Sequence, residues 1–300
     1  IALSLVGSEM CIRDRNTAGG VHSEFTIAKE KENSFYLVSA GVFQRLDHDW
    51  IHKWMPKDGS VIYENLTNSM GVLVLAGPKS RDILSKITKT DLTNENFPWL
   101  SSKKINVGLA PSIAMRVNFV GELGWELHHP IEYQNHIFDK LMEAGKDHGL
   151  KPFGIRAMES LRVEKTYKLV GTEMSIEYAA FESGLDRFVH LNKGNFIGRD
   201  SLVKWQQNGF KNKMVTLEVH DVEDADALGN NPIYTNGKVI GRATGGNYGF
   251  RVKKSLAIGM VEPRFADVGQ KLEMDILDKK YNVTVIEDSP YDPKNEKLKQ

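Results

Sequence analysis

Residues 118–130 read NFVGELGWELHHP, a stretch that gathers two carboxylates, a tryptophan, two glycines and a histidine pair into thirteen positions. Glycines at 121 and 124 allow backbone bends that other residues resist, so the segment reads as a turn at a strand end. Two solvated glutamates in such a turn account for Glu122 and Glu126 without a ligand, because charged side chains are mostly exposed.

Outward from this turn, SFYLVSA (34–40), GVLVLA (71–76) and IAMRVNF (113–119) are short, rich in β-branched and aromatic residues, and bounded by Gly, Pro or polar clusters. That composition predicts strands. GPKSRDILSKI (77–87) places Ile83, Leu84 and Ile87 on one face of a helix. A second helix is predicted from Pro130, a favourable first-turn residue, through Ile137, Phe138 and Leu141 to Gly145 or Gly149. A third covers GIRAMESLRVEKTYKL (154–169), with Ala157, Met158, Leu161 and Lys165 on one stripe. Strands followed by helices without strict βαβ order predict α+β layers.

After Trp205 the texture changes. MVTLEV (214–219), GKVIGRAT (237–244), SLAIGMV (255–261), KLEMDI (271–276) and YNVTVI (281–286) are strand-like, separated by Gly, Asn and Pro, with little helical periodicity. They predict a small antiparallel sheet or barrel. QQNGFKNK (206–213) is the natural linker, which divides the chain into 16–205 and 206–300.

The whole chain has 300 residues, 41% apolar and 9% aromatic, enough for one large core or two ordinary domains. Lys plus Arg equals Asp plus Glu at 39 each, so no overall field draws it to nucleic acid or an acidic membrane. No apolar run approaches the roughly 18 residues that span a bilayer. No basic-then-apolar leader opens the sequence, so the expected compartment is the cytoplasm, or the mitochondrial matrix for a eukaryotic protein. The single Cys11 rules out an internal disulfide. It lies in LVGSEMCIRDR (5–15), which resembles a translated sequencing adapter, so residues 1–15 are expected to lie outside the natural fold. The protein then enters at Asn16, truncated at its N-terminus, and absent strands would leave a sheet edge open near residues 16–40.

Several catalytic motifs are missing. No GxGxxG turn is present, GGNYGFRVKKS (245–255) lacks phosphate-loop spacing, and no nucleophile elbow surrounds a serine. HDWIH (48–52) spaces His48 and His52 as metalloproteases do, but Asp49 replaces the general-base glutamate and no third ligand follows. An amphipathic helix carrying Trp50 and Trp54 is the expected structure, with no metal.

GELGWEL (121–127), LAGPKSRDIL (75–84), SLRVEK (160–165), ESGLDRFV (182–189) with KGNFIGR (193–199), and YGFRVKKSLAIGMV (248–261) resemble segments of the folate-dependent aminomethyltransferase family. That family includes the glycine cleavage T-protein and the C-terminal halves of dimethylglycine and sarcosine dehydrogenases. GELGWEL, the YG with a following KS, and PYDP (290–293) resemble the dehydrogenase branch more than the free T-protein. The resemblance implies ferredoxin-like α+β units forming a folate-binding domain, followed by a C-terminal antiparallel β-barrel, around a central hole for tetrahydrofolate.

A pterin presents an amino group beside a ring N–H, and an ionised carboxylate accepts both. On that ground Glu126 is the first candidate anchor and Glu122 the second, with Gly121 and Gly124 bringing backbone near the ligand. Trp125 supplies an apolar wall or is simply core. Arg162 and Glu164 point to different sides of their helix. By resemblance Arg162 faces the folate, the alternative being a surface ion pair. Tyr248 resembles the family's aromatic near the barrel mouth, with interior packing as the alternative. The chemistry also asks for a carboxylate near the reactive nitrogens, to take a proton and stabilise positive charge. Where the family has Asp after a GG turn, GGVHSEF (19–25) has Glu24, displaced by about one methylene. AAFESG (179–184) lacks the family's Thr-Pro and leaves Glu182 as scaffold.

The resemblance implies one-carbon transfer to tetrahydrofolate, from an amine-derived iminium to 5,10-methylenetetrahydrofolate. The alternatives are the C-terminal part of an FAD-dependent dimethylglycine or sarcosine dehydrogenase, with FAD only in an upstream domain, and a non-catalytic folate-binding or regulatory protein. Partners implied are an FAD oxidase domain or a lipoyl carrier protein, and neither nucleic acid nor membrane.

Overall fold

The computed structural model describes residues 9–222 and 225–300. A three-stranded antiparallel sheet opens the chain, with β1 (Glu9–Arg15), β2 (Val21–Lys31) and β3 (Ser34–Val38) side by side in that order. Along β2, Val21, Ser23, Phe25 and Ile27 are buried while His22, Glu24 and Thr26 on the other face are half-buried, the period of two that a pleated strand imposes. Residues 5–8 of the adapter-like stretch lie outside the described residues. Residues 9–15 pair with β2 from Ala28 to Val21, so the edge expected to stand open is occupied. Helix α1 (Gln44–Trp54) lies against this sheet, where Trp50 Nε1 donates to Asp14 Oδ2 at 3.0 Å and buried Ser23 donates to buried Asp47. The His48 and His52 rings lie tilted against each other at 4.2 Å and both meet the Tyr63 ring.

The second sheet is antiparallel, built from β4 (Met70–Ala76), β5 (Ser102–Val107), β6 (Ala110–Met115) and β7 (Gly124–Pro130) in the order β4-β7-β6-β5. Helices α2 (Ser80–Ser85) and α3 (Gln134–Gly145) cover one face. Trp125 and Leu127 of β7 pack there with Leu75, Ile83, Leu84 and Ile137. Most of the stretch expected to be a turn is therefore an interior strand, and only residues 118–123 bend. Asn118 makes that bend, its Oδ1 accepting N–H groups of Val120 and Gly121 while its Nδ2 donates to Glu122 O at 2.7 Å. The two glycines make room for protein rather than for a ligand: a Cβ on Gly121, at φ 75°, would sit 2.5 Å from Lys165 Cγ, and one on Gly124 would collide with Leu75 O. The strand expected over 113–119 ends at Met115, and Arg116 just beyond it turns its side chain inward to donate to Phe97 O at 2.6 Å.

Helix α4 (Ile155–Val163) stops short of Lys165, and its buried residues are Ser160, Arg162 and Val163 rather than the expected stripe. The reason is what it faces: Val163 packs with Leu256, Ile258 and Met260, and Ser160 Oγ donates to Tyr248 O at 2.6 Å. Helix α5 (Arg199–Asn208) takes in the first three residues of the expected linker. Beyond it, β8 (Lys213–Val219), β9 (Pro232–Thr235), β10 (Lys238–Gly249), β11 (Lys254–Val261), β12 (Lys271–Ile276) and β13 (Lys279–Ile286) close a six-stranded barrel in the order β10-β11-β8-β13-β12-β9. Val215, Leu217, Ile233, Ala257, Met274 and Val283 form its interior cluster. β11 is buried on both faces, one toward the barrel interior and one toward α4, which is why SLAIGMV reads as continuously apolar. The architecture is α+β with a C-terminal antiparallel barrel. Among the described residues no helix is long and apolar enough to cross a membrane.

Candidate functional site

On β7 the side chains of Glu126 and His128 leave the face opposite the Trp125 core, because residues two apart in a strand share a face. His128 Nε2 lies 3.3 Å from Glu126 Oε2, and its Nδ1 lies 3.2 Å from the Tyr36 hydroxyl of β3. The first sheet therefore meets the second along this face. His128 is buried at 1% exposure while the Glu126 side chain keeps 24%, so the carboxylate stands at the rim of the contact. Among the described residues Glu126 Oε1 has no hydrogen-bond partner. An open cavity of about 450 Å³ adjoins His128, walled by Met70, Ile113 and Pro130 with Lys104 at its edge. Burial first, then the charges of Glu30 and Glu126, push the Tyr36 hydroxyl up to about 12.

Glu24 projects from the same face of β2 as Ala28, the register partner of Tyr36. It lies four positions before Ala28, about 13 Å along the strand. It does not touch Glu126. Its Oε1 pairs with Arg13 Nη2 at 2.6 Å. Burial raises the Glu24 carboxyl above its ordinary value, and the Arg13 charge and hydrogen bond pull it back.

Glu122, four residues before Glu126, is held through one oxygen by two partners. Its Oε1 accepts from Arg251 Nη1 at 2.8 Å and from the Tyr291 hydroxyl at 2.6 Å. Arg251 also pairs with Glu164, donates to Val120 O and Leu161 O, and lies 3.7 Å from the Tyr291 ring centroid. Lys165 donates to Tyr291 O, Asp292 O and Asn295 Oδ1. The second candidate anchor is thus part of a lock joining the 118–123 bend, the end of α4, the β10–β11 turn and the C-terminal segment.

Arg162 and Glu164 do point apart. Arg162 Nε donates to Glu159 Oε2 at 2.8 Å, its Nη1 donates to Tyr167 O at 2.9 Å and lies 3.7 Å from buried Glu173. A side chain only 4% exposed is not a surface pair. Among the described residues Nη2 is unpartnered and faces Gly245, whose Cβ position lies 3.7 Å away. Tyr248 is 39% exposed at the barrel's end, edge-on to Phe250 at 5.0 Å. Trp125 is wholly buried against Phe97, which is the core placement of the two expected for it. Glu182 accepts N–H groups of Ala179, Lys211 and Asn212, a joint between the α+β layers and the barrel.

The structure brings together Glu126 with His128 and Tyr36, and Glu122 with Arg251 and Tyr291; it does not bring Glu24, Arg162, Tyr248 or Trp125 into contact with Glu126. His128, Tyr36 and Arg251 were absent from the sequence candidates. The spacing of two between Glu126 and His128 was a usable signal once the segment is known to be a strand; nothing local pointed to Tyr36. Among the described residues no group of three His, Cys, Asp or Glu side chains is gathered closely enough to hold a metal ion.

Residues 12–193 match the GCVT N-terminal domain, and residues 212–292 match the glycine cleavage T-protein C-terminal barrel domain. The chain is 37% identical over 272 residues to the mitochondrial dimethylglycine dehydrogenase of Homo sapiens, covering 90% of this chain and 31% of that protein. It thus spans about a third of that relative's length. It is 30% identical over 280 residues to the aminomethyltransferase of Thermoanaerobacter sp. (strain X514), covering 92% of this chain and 74% of the relative. The crystal structure of glycine cleavage system aminomethyltransferase T from Bartonella henselae superposes with a TM-score of 0.82 over 96% of this chain and 77% of that one. At 19% identity that likeness concerns the fold alone.

Proposed function

The chain belongs to the glycine cleavage T-protein family, and from that premise we propose that it is a tetrahydrofolate-dependent one-carbon transferase, taking carbon from an amine-derived iminium to give 5,10-methylenetetrahydrofolate. The observation that carries this is Glu126, a carboxylate at the rim of a buried face with Oε2 held by His128 and Oε1 without a partner among the described residues. An acceptor so placed fits the paired amino and ring N–H donors of a pterin edge. Tetrahydrofolate, when bound, supplies the nitrogens to which the carbon is transferred.

This chain's own residues divide the remaining work. Glu126 accepts the pterin donors. Glu24 holds positive charge near the donor amine and takes a proton on Oε2, the oxygen not paired to Arg13. Burial raises its carboxyl toward the range in which a general base works, and Arg13 limits that rise. Arg162 of α4, whose Nη2 has no partner among the described residues, and half-exposed Tyr248 of the barrel contribute to the folate wall. Glu122 supports the site through Arg251 rather than by touching the ligand.

The test is calorimetric titration of the full chain with tetrahydrofolate, followed by assay of methylenetetrahydrofolate formation. Glu126→Gln is expected to weaken binding about 10- to 100-fold, the loss that follows removal of a charged acceptor. Glu24→Gln is expected to spare binding and lower turnover about 10²-fold or more. Tight binding that is indifferent to Glu126 would refute the anchor, and binding without turnover in the native chain would favour the non-catalytic folate-binding protein. The match to a third of a dimethylglycine dehydrogenase favours a second possibility, that the chain is the C-terminal part of an FAD-dependent demethylating enzyme. A dinucleotide-binding fingerprint in the upstream reading frame would establish it.

A further inference from the structure

Glu126 and His128 share one face of β7, and Tyr36 reaches them from β3 of the other sheet. The directions of the two hydrogen bonds follow from what each group can do. An ionised carboxylate only accepts, so the His128 nitrogen 3.3 Å from Glu126 Oε2 carries the proton. In a neutral imidazole the other nitrogen then accepts, which makes Tyr36 the donor to Nδ1 across 3.2 Å. The upward push on the Tyr36 hydroxyl keeps its proton in place at neutral pH.

We propose that Tyr36 and His128 are positioning residues for Glu126, a relay from the Tyr36 hydroxyl through the His128 ring that holds Oε2 and presents Oε1 to the ligand. This rests on Glu126 being the folate anchor proposed above. A glutamate at a half-open rim would otherwise spread over several rotamers, and ordering it in advance removes that entropy from the binding step. Oε2 keeps a second lone pair, so accepting from His128 does not prevent it from receiving a ligand N–H as well. Because β3 and β7 belong to different sheets, the relay also ties the geometry of the anchor to the seating of one sheet on the other.

Two measurements on the full chain test it. In the first, isotope-labelled histidine read by proton–nitrogen correlation assigns the His128 tautomer, with His128→Gln as the blank. The Nε2–H form is expected in the native chain, and its preference is expected to weaken in Tyr36→Phe; an Nδ1–H form in the native chain overturns the relay. In the second, tetrahydrofolate is titrated into the variants. His128→Leu is expected to bind about 10-fold more weakly, the order of loss of a hydrogen bond to a charged group. His128→Gln, whose amide donates from near the position of Nε2, is expected to recover most of that. A histidine that merely filled space would give the reverse ranking, with Leu tolerated and Gln no better, and that result overturns the proposal. Tyr36→Phe, which removes one oxygen, is expected to weaken binding about 3-fold and serves should His128→Leu not fold. If the native chain does not bind tetrahydrofolate, the folate reading of Glu126 fails by itself, and the tautomer decides the relay: Nε2–H supports it and Nδ1–H overturns it.

Discussion

Glu122 and Glu126 stand four residues apart in one motif and are held differently. Glu122 accepts on Oε1 from both Arg251 and Tyr291, while Glu126 accepts on Oε2 from His128 alone among the described residues. Glu122→Ala leaves Arg251 with Glu164 and two carbonyls but removes its second carboxylate and the acceptor of the Tyr291 hydroxyl, and we expect it to lower stability by about 1–3 kcal/mol in a denaturant titration. Glu126→Ala removes the acceptor of a single 3.3 Å contact, from buried His128, and should cost about 1 kcal/mol. A greater cost for Glu126→Ala would contradict the distinction. Three tyrosines show a related effect of burial, since Tyr36, Tyr167 and Tyr291 are each pushed up to about 12. For an acid whose folded value is raised, the unfolded chain loses its proton first. Stability is therefore unaffected well below about pH 10 and falls between roughly pH 10 and 12. Tyrosinate absorbance in the folded chain should likewise show a fraction that ionises only near the upper end of that window.

Among the elements, β7 shows how a strand can be missed. Its alternation of Trp125 and Leu127 with Glu126 and His128 is a period-two pattern, but Gly124 and Pro130 at its ends carry the punctuation of a turn. Here Gly124 lets β4 approach, and Pro130 stands at the strand's end, where it faces Met70 of β4. β2 was hidden for a different reason, because buried Ser23 interrupts its apolar face and finds its side-chain partner in Asp47 of α1. β1 leads to a prediction. A chain beginning at Asn16 would expose the β2 edge and remove Arg13 from Glu24. Amide exchange along 21–31 should rise, since the strand that pairs that edge is gone. Unchanged exchange across β2 would show that β1 adds nothing to that edge.

Across the whole molecule, Arg251 joins the bend at 118–123, the end of α4, the barrel and Tyr291. Arg251→Met keeps much of the stem's packing and leaves Glu164 buried without its partner. We expect a loss of about 3–5 kcal/mol and separation of barrel unfolding from that of the α+β layers in calorimetry. A single unshifted transition would contradict the coupling.

The α+β class, the barrel strands, the helix of residues 77–87 and the family resemblance were legible from periodicity, glycine and proline punctuation, and motifs in register, all of which are local in the chain. The glutamates of GELGWEL were also visible as candidates. Which of them is tied to the barrel and which to the first sheet was not, because the answer depends on Arg251 and Tyr291, more than a hundred residues away, and on Tyr36 from another sheet. Sequence spacing determines which side chains share a face. Only the packing of separate sheets and the barrel decides which of those side chains meet a partner and which stay open to a ligand, since burial and hydrogen-bond satisfaction belong to contacts between elements.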